Sequence, residues 1–331
     1  MNQQFSCFAG ANVLITGGAG FIGSNLAIRL QELGAEITIV DSLIPEFGGN
    51  LQNIAAIRDN VSLNISDVRD PHSMRYLIQG KDFLFNLAGQ TSHMDSMADP
   101  YTDLDINASA QLSILENCRQ YNPHTRIVFA STRQLYGRPQ YLPVDEKHPV
   151  RPVDVNGINK YAGEAYHTLY NDVYEIPVTI LRLTNTYGPR MRIKDARQTF
   201  VGGWVRNLLE GKPFEVWGGE QLRDFTYIDD CVNAFLIAAS SPKASNQIYN
   251  VGGMEVVSLQ ELAEAILAAN AQEGDFVIRE FPEERKKIDI GDYYSDDERI
   301  RSELGWEPAT SLETGLKKTL DYFREHLPEY C

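Results

Sequence analysis

An α/β fold built on a doubly wound parallel sheet, with a smaller C-terminal subdomain, is what this 331-residue sequence predicts. Three observations predict it. Short apolar runs alternate with amphipathic stretches through the first half, a glycine-rich turn separates the first run from the first helix, and the rhythm changes near Pro189. The apolar runs at 12–16, 36–40, 61–65, 83–87, 126–130 and 178–183 read as successive strands. Between the first two, Ile22, Leu26, Leu30 and Leu33 keep helical spacing, Arg29, Gln31 and Glu32 face away, and Gly34 stops the helix. That is a complete βαβ unit.

Beyond Pro189 come the stretch 191–200, a helix over 204–211 and a second near 229–239, excursions suited to a lid over a ligand. The expected division is 1–188 for the dinucleotide-type domain with its catalytic helix. Residues 189–331 then form mainly the substrate subdomain, with some segments returning to the sheet. On composition alone the charged stretch 283–301 reads as a solvated linker as readily as not.

The hydrophobic share of 43% and charged share of 23% describe an ordinary globular chain, and a net charge of -15 argues against a nucleic-acid partner. Any phosphate must be held by a few well-placed cations. Cys7, Cys118, Cys231 and Cys331 are scattered without a C-x-x-C pair, so neither a disulfide framework nor a metal site is expected. No window reaches the ~18 apolar residues of a membrane span, and the start lacks a basic region followed by an apolar one. A cytoplasmic protein without a membrane partner is the expectation.

The turn TGGAGFIGS sets Gly17, Gly20 and Gly23 between a strand and a helix, with Phe21 and Ile22 inside it. Glycine lets the turn close and the backbone approach a pyrophosphate, whose charge then meets the helix N-terminus. Asp41, the acid ending the next strand, suits the adenosine ribose hydroxyls, the alternative being a plain turn residue. A 2′-phosphate would meet Asp41 as like charge, with no basic residue in DSLIPEF to compensate, so NAD is expected over NADP. The sheet is thus of Rossmann type.

At this point the sequence resembles the extended short-chain dehydrogenases, in particular NAD-dependent nucleotide-sugar epimerases and dehydratases of the UDP-glucose 4-epimerase type. The resemblance runs over nearly the whole chain. It covers the T-G-G-x-G-F-I-G-S opening, the D-x-R-D segment with Asp67 and Val68 beside adenine, and N-L-A-G with Leu87, Ala88 and Gly89 along the cofactor. It also covers a helical asparagine at Asn107. Downstream, RLTNTYGPR implies that Asn185 holds the substrate diphosphate region, RDFTYIDD implies the same for Arg223, and Arg285 falls where a second phosphate-binding arginine is common. For each arginine alone, a surface ion pair is the commoner role.

In this family a strand delivers S-[ST]-x-x-x-Y-G and a later helix Y-x-x-x-K, whose tyrosine is the acid/base and whose lysine binds the nicotinamide ribose. Here STRQLYG supplies Thr132, a catalytic and substrate-orienting hydroxyl, and K-x-A-G-E identifies Lys160 as the lysine. Four residues earlier, where the tyrosine belongs, stands Asn156. An amide cannot act as a phenolate base. Tyr136, Tyr161 and His93 are the nearby candidates to replace it, His93 lying just past the N-L-A-G segment. The 4,6-dehydratase branch carries Asp-Glu after the threonine, but this chain has Arg133 and Gln134, so dehydration of that type is not expected, and Arg133 is a candidate contact for an acidic sugar or phosphate.

The resemblance implies an enzyme with bound NAD that transfers hydride at a sugar carbon, C4, of a nucleotide sugar, a UDP-sugar above all, using a non-standard acid/base. The competing reading is a weakened sensor or scaffold that keeps both binding sites. The segments 105–119 and 157–174 match the helices that pair across a two-fold axis in this family, so a homodimer is expected.

Overall fold

A computed structural model describes residues 3–195, 197 and 199–331. Strands β1 (Asn12–Thr16), β2 (Glu36–Asp41), β3 (Ser62–Ile65), β4 (Phe83–Asn86), β5 (Arg126–Thr132) and β6 (Val178–Leu183) all pair in parallel. They are apolar on both faces because helices cover both: every residue of β4 and β6 is buried. The covering helices of this half are α1 (Phe21–Glu32), α2 (Pro71–Ile78), α3 (His93–Ala98), α4 (Pro100–Leu104), α5 (Ala110–Tyr121) and α6 (Val155–Tyr174). Gly34, at φ +84°, ends the α1 excursion as its position implies.

The next strands are β7 (Asn185–Tyr187), β8 (Phe214–Trp217), β9 (Leu222–Tyr227), β10 (Gln247–Val251), β11 (Val256–Ser258) and β12 (Phe276–Arg279). The seven-stranded sheet runs β10-β6-β5-β4-β1-β2-β3. The chain reverses its direction of winding between β1 and β4, and their carboxyl ends flank the crevice where doubly wound sheets bind ligands. β10 returns from the C-terminal half to lie beside β6, while β11-β9-β7 and β12-β8 form two small sheets outside. Helices α7 (Phe200–Leu209) and α8 (Ile228–Ser240) fall near the expected positions, and α8 packs on β5 and β6.

Two departures bear on the site. The helix expected over 105–119 is interrupted by a π-helical turn, Asp105–Ser109, between α4 and α5, a feature that often marks functional sites. The solvated-linker reading of 283–301 does not hold for its second half. Ile290 and Tyr293 are buried, Tyr293 N–H donates to the Leu222 carbonyl, and Val144 N–H donates to that of Tyr294. The segment is pinned by a buried isoleucine and a buried tyrosine that pack with Leu135, Tyr136 and Val144, far away in sequence, which its charged composition conceals. Among the described residues no helix is long and apolar enough to cross a membrane.

Candidate active site

One cleft gathers most of the residues singled out above. At one end Gly17, Gly20, Phe21, Ile22 and Gly23 line it where β1 turns into α1. Gly17 sits at φ +68°, a conformation that L side chains rarely adopt. A Cβ on Gly23 would stand 2.2 Å from the Gly17 carbonyl oxygen, whereas one on Gly20 would stand 3.1 Å from it, so Gly23 is the tighter constraint. Asp41 closes this end: its carboxylate accepts from Ala19 N–H at 3.0 Å and Leu43 N–H at 2.9 Å. Burial raises its pKa and those two bonds pull it back. Asp67, Val68, Leu87, Ala88 and Gly89 continue the wall. The only Lys or Arg among its described lining residues are Arg133 and Lys160, so no cation stands ready for a 2′-phosphate beside Asp41.

Further along, α6 delivers Lys160. Its ammonium is buried, donates to the Ala130 carbonyl at 3.3 Å and lies 5.3 Å from the Phe129 ring centroid. Burial pushes its pKa down to about 8, opposed by the Asp103 charge. A Cβ on Gly89 would come within 2.7 Å of Nζ and 3.0 Å of Asn107 Oδ1. Asn107, on the π turn just behind the lining, donates to the Gln90 carbonyl at 2.9 Å, and its buried Oδ1 has no partner. A buried unpartnered acceptor and a cation without a carboxylate partner, beside a bare glycine, leave polar valences for a ribose. The glycine turn, Asp41 and this group fit NAD, which when bound accepts and returns hydride.

At the far end β5 runs out at Thr132, whose Oγ1 accepts from Gln134 N–H at 3.2 Å. Arg133 also lines the cleft, donates to Asn185 Oδ1 at 2.8 Å and lies 5.3 Å from the Tyr293 ring centroid, with its Nη1 unpartnered. Asn156 lines the same region, but its amide nitrogen faces the protein: it donates to the Gln90 carbonyl at 2.8 Å and to Asp103 Oδ2 at 3.0 Å. The other Asp103 oxygen accepts from Asn159 at 2.8 Å. A buried carboxylate is thereby held by two amides one helical turn apart.

Of the candidates to replace a tyrosine at 156, the structure brings one into the cleft. Tyr136 is fully buried, donating to Asn250 Oδ1 and accepting from Arg182 at 2.7 Å each, and burial raises its pKa. Tyr161 is exposed and outside the lining. His93, first residue of α3, lines the cleft with Nδ1 3.0 Å from Asp154 Oδ2. Burial raises the Asp154 pKa, and the nearby His93 together with the bonds from Gly157 N–H and the Gln134 amide more than reverse it. Arg223 and Arg285 lie outside the lining. Arg223 donates to the Leu222 and Gly291 carbonyls and approaches Asp289 at 3.5 Å, and Arg285 lies 4.3 Å from the Trp217 ring centroid.

Sequence reasoning passed over Gln90, Asp103 and Asp154, and gave Gln134 no role beyond ruling out dehydration. Asp154, in PVDVN before a helix, was legible only as an N-cap, which it is: Gly157 N–H donates to its Oδ1 at 2.7 Å.

The fold and cleft are those of a dinucleotide-binding α/β enzyme, with a lysine and a threonine lining the cleft beyond its glycine turn. The chain belongs to the NAD dependent epimerase/dehydratase family, whose model matches residues 13–252. It is 31% identical to a UDP-glucose 4-epimerase of Mycolicibacterium smegmatis, over 94% of this chain and 98% of that one. It is 32% identical to UDP-glucuronic acid decarboxylase 1 of Xenopus tropicalis, over 95% and 72%. A solved UDP-glucose 4-epimerase with UDP-glucose, from Thermotoga maritima, superposes with a TM-score of 0.87 at 30% identity, covering 96% of this chain and 99% of that one. The protein is an NAD-dependent enzyme of this nucleotide-sugar family.

Proposed function

We propose that this enzyme epimerises, or otherwise oxidises and re-reduces, a UDP-sugar at C4, with NAD retained through the cycle and an acid/base other than residue 156. The observation that supports the reading best is the joining of the glycine turn, Asp41, Lys160 and Thr132 along one cleft at the sheet's switch point. The relatives' names point to UDP-sugars. Residues 1–188 then hold the cofactor and 189–331 mainly the sugar nucleotide, with Asn185 and Arg133 on its anionic groups. Arg223 and Arg285 reach the phosphates only by exchanging their present partners.

Binding without turnover, as a sensor or scaffold, is favoured by one observation alone, the amide at position 156. Incubation with UDP-, dTDP-, CDP- and GDP-sugars, following NADH absorbance and product identity, separates the two. An interconverted pair of 4-epimers supports the enzyme, and binding with no product supports the sensor.

The same reading includes a cytoplasmic homodimer. Ile158, Tyr161, Leu169 and Val173 form an exposed apolar stripe on α6, and Tyr101 and Leu104 on the adjoining α4 are exposed too. A second copy related by a two-fold axis would cover both. A monomeric mass by light scattering at micromolar concentration would rule this out.

A further inference from the structure

We infer that proton transfer has moved from position 156 to His93, with Asp154, Gln134 and Asn156 as positioning residues. The inference rests on the proposed sugar oxidation and names its acid/base. Asp154 Oδ2 faces His93 Nδ1 at 3.0 Å and accepts from Gln134 Nε2 at 2.7 Å. Gln134 N–H donates to Thr132 Oγ1, so the imidazole is three polar contacts from the hydroxyl expected to orient the sugar. Nδ1 stands 3.0 Å from the carboxylate without being aligned for a hydrogen bond; a small turn of the ring would direct Nδ1–H to Asp154 and leave Nε2 as the base.

Asn156 belongs to the same construction. Its amide donates to the Gln90 carbonyl, and its backbone N–H donates to Ser96 Oγ at 3.2 Å. Ser96 Oγ in turn donates to the His93 carbonyl at 2.7 Å. The residue standing in the tyrosine's place thus binds both ends of the segment that carries the histidine. A tyrosine would keep the backbone bond to Ser96 but could not make the side-chain amide's bonds to Gln90 and Asp103. Asn159 and Asp103 complete the support from the next turn.

In the proposed reaction His93 Nε2 would take the C4 hydroxyl proton and later return it to oxygen, while NAD, held by the glycine turn, Asp41 and Lys160, would supply the hydride acceptor and donor that balance the passage through a 4-keto sugar. No outside oxidant or base is consumed.

The test uses the full-length, NAD-loaded protein and the UDP-sugar that the panel identifies. His93→Ala is expected to lower kcat by about 100-fold or more, with calorimetric affinities for NAD and UDP-sugar within about threefold, and added imidazole should restore part of the rate. Asp154→Asn keeps an N-cap of equal quality but offers the ring the wrong group, so kcat should fall about tenfold or more with KM little changed. Retained kcat in His93→Ala, or a loss that imidazole does not rescue while both ligands still bind, overturns the inference and leaves the proposed activity standing. A wild-type protein that binds both ligands and turns over no sugar of the panel overturns both.

Discussion

The two ends of the cleft are built in different ways. The cofactor end is nearly continuous in sequence: Gly17, Gly20, Gly23 and Asp41 lie within one βαβ unit and act largely through backbone shape. The reacting end is assembled from separated segments, the loop at 90–96, the turn after β5 and the start of α6, with Asp103 reaching in from α4. It acts through side chains that hold one another. Backbone geometry tolerates few residue types, so it leaves a motif. A hydrogen-bonded network can be rebuilt with other side chains as long as every buried polar group keeps a partner.

The largest effect that would break this contrast belongs to the backbone end. Gly23→Val puts a side chain into the Gly17 carbonyl and should abolish NAD binding by calorimetry, whereas Gly20→Ala, with more room, should weaken it by about tenfold at most. Equal losses for the two would mean that the turn's shape is not the constraint.

Next in size is Asn156→Tyr. Under a decayed-catalyst account the tyrosine restores 4-epimerase activity. The network predicts loss instead, because Asp103 gives up one of its amide donors and the Gln90 loop is released. A buried acceptor deprived of its donor costs about 1–3 kcal/mol, so the melting temperature should fall along with the rate. A gain of activity in this variant would show that the rebuilt network has no role in catalysis.

A smaller effect concerns cofactor choice. NAD should bind at least about tenfold more tightly than NADP, since a 2′-phosphate would face Asp41 with no cation beside it. Asp41→Ser should narrow the gap, and equal calorimetric affinities in the wild type would remove the role given to Asp41.

The smallest effect is on stability. The folded pKa of Lys160, about 8, lies below the unfolded value of 10.5. Between these limits the unfolded chain binds the proton that the folded one has lost, so folding becomes more favourable as pH rises. Cofactor-free protein should show this contribution between pH 8 and 10, and Lys160→Met should remove it. Identical pH dependence of melting in the two proteins would mean that the ammonium is well solvated.

How far the sequence reached follows the same division. The six parallel strands were legible because each falls in a short, mainly apolar run, and Lys160 because it opens an ungapped K-x-A-G-E. β10 escaped as a sheet strand because pairing with β6 is a long-range event, and the segment around Tyr293 escaped because its charged neighbours mask the buried Ile290 and Tyr293. Among the acid/base candidates, spacing could not choose between Tyr136, Tyr161 and His93.

By itself, then, the sequence determined the doubly wound sheet, the dinucleotide turn with its acid, and an amide at 156 where the resemblance implies a phenol, all of which depend on local residue type and period. Only the tertiary structure decided what surrounds that amide. Asp154 reads in sequence as a helix cap and His93 as a loop histidine. Their 3.0 Å approach exists because α6 begins beside the loop that follows β4, and hydrogen bonds across 60 residues of chain leave no periodic trace.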